Sequence, residues 1–412
     1  MEATLVTSLR NPDWTLERYI VVSTAVAVFL SQTVAQVGFD LALGYPLILT
    51  NLLLLLIGGR LAIHPVHVVL LVAVALISFV SSLSSSTPFN AILSQISGIA
   101  VISTYYLSVL SRFPVSVISW MELYGKFALA VSLYGLFAYV FLQHPGMRDY
   151  DRLKAFYPEP SFYIYVTLPA LGYYLSCYLH DRSHKWEALL LLACYLLSRS
   201  SLGIIGLALI LLIQFRNRLK GWKVLLAIPC IAGLSVAFYL GVSDFRLRVN
   251  DTLISIATAD VTNANASTLA LLSNAYVAAK TFLAHPLTGV GIGGYQYAYP
   301  AYIGDVLERS SYFYGLNMYD AASLYLRIAA EMGLLGIVAF VVALVWLSRV
   351  QGAPFEQVRN AIVPYILIRA FRYGAYFSVE LYFFVGLYIL NYLNYRANQP
   401  KSRVRDTLQT TN

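Results

Sequence analysis

The stretch Ser243–Met318, SDFRLRVNDTLISIATADVTNANASTLALLSNAYVAAKTFLAHPLTGVGIGGYQYAYPAYIGDVLERSSYFYGLNM, is the one long polar interruption in a chain of apolar segments. Backbone of that length cannot sit in hydrocarbon with its N–H and C=O groups unpaired, so it is expected to fold as a cap outside the membrane. The apolar segments are then read by asking which of their ends meet it.

Of the 412 residues, 59% are hydrophobic and 12% charged, a balance that places the chain among all-α, polytopic membrane proteins rather than soluble domains. Its first eighteen residues carry Glu2, Arg10, Asp13, Glu17 and Arg18, which does not fit the short basic start of a cleaved signal peptide; the first span is expected to be retained. The net charge of +8 is dispersed between apolar runs, so it points to membrane topology and no nucleic acid is expected as a partner. Cys177, Cys194 and Cys230 fall inside apolar runs without paired spacing, which argues for core residues and against a disulfide or zinc site.

A span needs roughly 20 apolar residues, and this criterion gives helices near 19–38, 41–57, 63–82, 91–110, 117–142, 161–179, 222–241, 320–348, 357–373 and 375–395. Between Trp186 and Phe215 the apolar run is broken at Ser198-Arg199-Ser200-Ser201. Basic residues at both ends, Arg182 and Lys185 before it and Arg216, Arg218, Lys220 and Lys223 after it, require the pair to go out and return, which makes about twelve spans. The expected organisation is nine helices over 1–241 with an external loop near 144–160, a periplasmic cap over 242–319, three helices over 320–396 and a polar cytoplasmic tail over 397–412. Both termini are then cytoplasmic, and the loop before Ser161, the Arg199 bend, the cap and the Arg369–Gly374 turn share the outer face. The Ser81–Ser86 cluster reads as a short flexible external loop, and no internal repeat is seen.

Four arginines stand at or within apolar segments: Arg199, Arg327, Arg369 and Arg372. An arginine at the centre of such a helix costs roughly 2.5–3.5 kcal/mol, so each needs an interfacial position, an ion pair (Glu331 and Glu380 are the available acids) or a ligand. A shared guanidinium cluster suits a diphosphate. Arg148, Arg152 and Lys154 add charge before Tyr157-Pro158-Glu159-Pro160-Ser161, where prolines on both sides fix the Glu159 backbone. Glu159 is thereby favoured as a chemical group over a carboxylate that only complements a helix dipole, with Asp149 and Asp151 as solvated rivals.

Within the cap, Asn274–Ala284 reads as a helix stopped by His285-Pro286 and followed by a glycine turn. Gly289, Gly291 and Gly294 match a dinucleotide fingerprint by letter, but no strand precedes them and no βαβ unit follows, so the glycines are taken to bring backbone close to the membrane surface or a ligand. Tyr295, Tyr297, Tyr299 and Tyr302 belong to an aromatic run expected at a membrane interface, with some rings available as platforms for sugars.

Together these pieces resemble the O-antigen polymerase and ligase superfamily: Glu159-Pro160-Ser161-Phe162, Ser198 to Gly203, His285 to Gly291, Tyr325-Leu326-Arg327 through Glu331 to Gly336, and Arg369 to Tyr376. The resemblance covers roughly the last 250 residues. Ligases of this superfamily carry a His-Asn pair where Ala322 and Ser323 stand here, which favours the Wzy-type polymerase; an arginine often found before the His-Pro turn is replaced near Leu271 and Leu272. What the resemblance implies is glycosyl transfer between undecaprenyl-diphosphate-linked oligosaccharides at the outer face of the bacterial inner membrane, with no cofactor and no metal. A chain-length regulator is a candidate partner. Glu159 would be the base, Arg199, Arg327, Arg369 and Arg372 the diphosphate ligands, and Arg148, Arg152, His285, Gly289, Gly291, Tyr295 and Tyr373 substrate contacts. The rival readings are a ligase and a transporter of lipid-linked sugars; Lys126, inside a predicted span, gives the second some weight.

Overall fold

The computed structural model describes residues 15–36, 40–85, 87–113, 115–142, 151–215, 243–258 and 264–399, with Gly233, Val236 and 239–241 between them. The expected span near 222–241, Cys230, Arg148, Asp149 and the tail from Pro400 therefore fall outside the described residues, wholly or for the most part. The helices are α1 (Leu16–Leu30), α2 (Gly44–Ile57), α3 (Pro65–Ser82), α4 (Phe89–Arg112), α5 (Val117–Phe141), α6 (Pro160–Asp181), α7 (Lys185–Ser198), α8 (Ser201–Phe215), α9 (Ser243–Thr258), α10 (Ala266–Ala284), α11 (Tyr295–Tyr302), α12 (Leu324–Leu347), α13 (Phe355–Arg372) and α14 (Val379–Ala397).

The fold is all-α as expected, with one short strand pair beside the helices. The first helix stops at Leu30, and Val34–Gln36 (β1) pairs antiparallel with Asp40–Ala42 (β2), Val34 opposite Ala42. Three-residue strands are too short to show a period of two in a sequence, so β1 falls within the helix expected over 19–38 and β2 at the start of the one expected over 41–57.

By length and composition, α4, α5 and α12 are long and apolar enough to cross a membrane, and Gly44–Ile57, His67–Ser82 and Ser201–Phe215 are shorter apolar helices. Twelve spans are not reached on that criterion. Helix α7 has 14 residues, and α13 buries Gln357, Arg359, Asn360 and Arg369. Apolar residues line the outside of α3 and α12, among them Val69, Leu76, Leu335 and Val342, each more than half exposed, as expected where a helix faces lipid.

At the centre, α6 and α13 run against each other. Gly172 makes this possible: a Cβ there would lie 2.9 Å from the Ala361 Cα, so only a residue without a side chain permits the approach. Buried polar groups join the surrounding helices. Asn360 donates to Gln214 at 3.0 Å, Gln214 to the Gly172 carbonyl at 3.0 Å, and Asn51 to the Tyr105 hydroxyl at 2.9 Å. Cys177 and Cys194 are free and buried, as core residues.

The cap has a small core of its own, in which Val277, Ala278, Tyr295, Tyr299, Ile303 and Leu307 gather with Ala321 and with Ala330 of α12. Its anchor is a break in α12 at Gly333, where φ is 59° and ψ −151°. A broken helix leaves carbonyls and N–H groups without partners, and the glycine turn supplies them. Val290 and Gly291 donate their N–H groups to the Ala330 and Glu331 carbonyls at 3.0 and 2.9 Å, while Leu334 and Leu335 donate to the Pro286 and Leu287 carbonyls at 2.8 and 3.1 Å. The serine cluster is tied down as well: Ser85 and Thr87 both donate to the Val290 carbonyl, at 2.9 and 2.8 Å, which corrects the reading of a flexible loop for these residues.

Candidate active site

Glu159 is the N-cap of α6. Pro160 holds the first helical position, and the extended backbone at Glu159 (φ −135°, ψ 151°) is what a residue before proline adopts. Its carboxylate accepts from the Ser161 hydroxyl at 3.2 Å and is half-buried. The loop leading to it is pinned to the end of α7. Leu153 donates its N–H to the Leu197 carbonyl at 3.0 Å, and the buried Arg152 guanidinium donates to the Ser198 and Arg199 carbonyls, each at 3.3 Å, where a helix C-terminus favours positive charge.

Arg372 ends α13. Its Nη2 donates to the Ser267 hydroxyl at 3.0 Å, tying the bundle to the first turn of α10, whose N-cap Asn265 accepts from the Thr268 N–H at 3.1 Å. Arg152, Glu159 and Arg372 line one cavity of about 600 Å³. Three helix N-termini open onto the same space: Pro160-Ser161 of α6, Ser201-Leu202 of α8 and Ala266-Ser267 of α10. Helix N-termini present partial positive charge and unpaired N–H groups, so together with two guanidinium groups they favour an anion. The rest of the wall is apolar, with Ile205, Leu253, Leu271, Leu272 and Phe371. Leu271 and Leu272, marked in the sequence as replacing an arginine, therefore contribute hydrocarbon to the site. Helix α9 contributes Leu253, which is 60% exposed.

The remaining arginines are elsewhere. Arg327 is 4% exposed; its Nε meets Glu331 Oε1 at 3.2 Å, its Nη1 donates to the Gly374 carbonyl at 3.1 Å, and its guanidinium lies 4.4 Å from the Tyr376 ring centroid. Arg369, 1% exposed, pairs with Glu380 at 3.1 Å and donates to Ser378 at 2.9 Å and to the Tyr373 carbonyl at 2.7 Å. Both thus follow the ion-pair alternative, with the two acids named from the sequence, and neither lines the cavity. Arg199 adopts a left-handed conformation at the end of α7 and pairs with Asp151 at 2.7 Å; it too stands outside the lining, and Asp151 is engaged by it.

Five expected substrate contacts lie outside this lining. Gly289 and Gly291 are buried against backbone: a Cβ at Gly289 would lie 2.6 Å from the Ala330 carbonyl oxygen, and one at Gly291 would lie 2.7 Å from that of Ser78. They bring backbone to protein rather than to a ligand. Tyr295 has no exposed surface and gives its hydroxyl to Asn274 Oδ1 at 2.8 Å; burial raises its pKa well above the usual tyrosine value, so it remains a donor in the cap core. Tyr373 stacks on Arg369, 4.2 Å from ring centroid to guanidinium carbon. His285 closes α10 as its C-cap. Ser267 is the site residue that sequence reading passed over; its one signal is the Asn-Ala-Ser-Thr helix start at 265–268. Among the described residues, no three His, Cys, Asp or Glu side chains gather to hold a metal.

A helical membrane protein with an anion-favouring cavity at one end of its bundle is the class these features define. Residues 188–341, from within α7 through the cap and into α12, match the family model Wzy_C, described as O-antigen ligase, which supports membership of the O-antigen polymerase and ligase superfamily. That family consists of membrane enzymes of the glycosyl-transfer type that act on lipid-linked oligosaccharides. A comparison with curated proteins gives no match.

Proposed function

We propose that the chain polymerises oligosaccharide repeat units carried on undecaprenyl diphosphate, at the periplasmic face of the bacterial inner membrane. The observation that carries this reading is the convergence of Glu159, Arg152, Arg372 and three helix N-termini on one cavity whose remaining wall is apolar. Such a wall suits a polyprenyl tail, and the charged side suits its diphosphate.

In the reaction an acceptor hydroxyl oxygen bonds to the anomeric carbon of the growing chain as the bond from that carbon to the diphosphate oxygen breaks. Glu159 takes the hydroxyl proton, and Arg152 and Arg372, with the N–H groups of the helix starts, meet the negative charge left on the departing diphosphate. The diphosphate role first read for Arg199, Arg327 and Arg369 passes to Arg152 and Arg372 because these are the guanidinium groups in the cavity lining. The proposal takes spans before and after the cap, with both termini cytoplasmic, as its topology.

The description of the matched family favours a second reading, a ligase that moves the finished chain to another acceptor. Ala322 and Ser323, in place of the ligase His-Asn pair, favour the polymerase; Ser323 here donates to the Ala370 carbonyl at 3.0 Å. Purified protein incubated with one lipid-diphosphate repeat unit, its products separated by size, distinguishes the two. A ladder of multiples supports polymerisation, whereas transfer seen only after a second acceptor is added would establish the ligase.

A further inference from the structure

A second cavity, of about 410 Å³, lies between the C-terminal end of α10, helix α11 and the loop joining α3 to α4. Ser84, Ser85 and Thr87 form one wall, and His285, Tyr297 and Tyr302 stand around the remainder. Ser84 donates to the Ser81 carbonyl at 3.0 Å, and Ser85 and Thr87 donate to that of Val290. Ser85 also donates to Thr87 Oγ1 at 3.0 Å, so these hydroxyl protons are held within the protein, which fixes the oxygens and leaves those of Ser84 and Ser85 to accept. The ring of His285 and the hydroxyls of Tyr297 and Tyr302 make no hydrogen bond to another described residue, so donors are available too. Tyr297 is 41% exposed.

No carboxylate, guanidinium or ammonium group is among the described residues of this lining. Aromatic faces, fixed acceptors and unengaged donors without net charge match the chemistry of an uncharged sugar, whose hydroxyls need both partners and whose C–H faces pack on rings. They match a phospholipid headgroup less well, because no Lys or Arg in this lining balances the charge of its phosphate. Thr268 lines the first cavity and Thr281 this one; at 1.5 Å rise per residue they are about 20 Å apart along α10, a span of several sugar residues.

We infer that this cavity is a second saccharide subsite, holding sugars of the lipid-linked chain away from the carbon that reacts. The inference rests on the function proposed above, but its test needs no turnover. The probe is the oligosaccharide released by mild acid from the source cell's lipid-linked repeat, titrated calorimetrically into full-length protein in nanodiscs. Saturable binding to the wild type is expected, with Tyr297→Ala and His285→Ala each weakening it about tenfold and Tyr297→Phe staying within about threefold of wild type, all with unchanged thermal midpoints. Absence of saturable binding to the wild type, or equal affinity in a folded Tyr297→Ala, overturns the subsite. So does competition by glycerophosphoethanolamine as strong as that by the oligosaccharide, which would make this a lipid-headgroup site. A wild type that binds through Tyr297 yet forms no ladder would keep the subsite and sink polymerisation.

Discussion

Glu159 and the buried arginines answer to different experiments. As a general base Glu159 contributes about 10²–10⁴-fold to rate, so Glu159→Gln should cut turnover by that factor while the thermal midpoint in detergent stays put; a folded variant that turns over normally would remove Glu159 from the chemistry. Arg372→Ala should likewise lower transfer with little loss of stability, since its side chain is only partly buried. Arg369→Ala should do the reverse. It leaves Glu380 buried with no cation beside it and only the Gln32 amide donating to it, which costs about 3–5 kcal/mol and should show as a lower midpoint. Replacing both partners with apolar residues, Arg369→Met with Glu380→Leu, should recover much of that loss, and a double variant no better than Arg369→Ala would contradict the pairing. At this scale the sequence was informative where chain neighbours decide the outcome. The proline after Glu159 dictates its backbone, and it is found as read. It was uninformative where helix rotation decides: four arginines looked alike, and only packing separates Arg372, which lines the cavity, from Arg327 and Arg369, which meet acids.

Among the elements, the break in α12 is the joint between cap and bundle. The sequence showed a turn of glycines and a continuous apolar run over 320–348 as separate features. That the first repairs a break in the second depends on a contact some forty residues away, to which local periodicity is blind. Gly289 has φ +66° and backbone on its open side, so Gly289→Ala should lose about 1–3 kcal/mol from conformation alone. Gly304 has open space where its Cβ would lie, so Gly304→Ala should stay within about 0.5 kcal/mol of wild type. Thermal unfolding of the two variants side by side checks this, and equal midpoints would mean that the turn does not hold the break.

For the whole molecule, hydropathy located ten of the fourteen described helices to within a few residues, because burial in lipid writes a long apolar signal; α1 ends and α10 begins eight residues earlier than expected, and the cap helices α9 and α11 were not read. The cavity left no such signal. Its lining comes from α6, α8, α9, α10, the end of α13 and the loop before α6, and it brings together Arg152, Ser267 and Arg372, which are 220 positions apart at the extremes. The central claim is that this one cavity takes a polyprenyl diphosphate. It is tested most directly by photo-crosslinking a diazirine-tagged polyprenyl diphosphate to the protein in nanodiscs and sequencing the labelled peptides. Labelling of Leu253, Leu271 and Phe371, reduced in Arg372→Ala, is the predicted result; labelling confined to the outer faces of α3 and α12, and indifferent to Arg372, would contradict it.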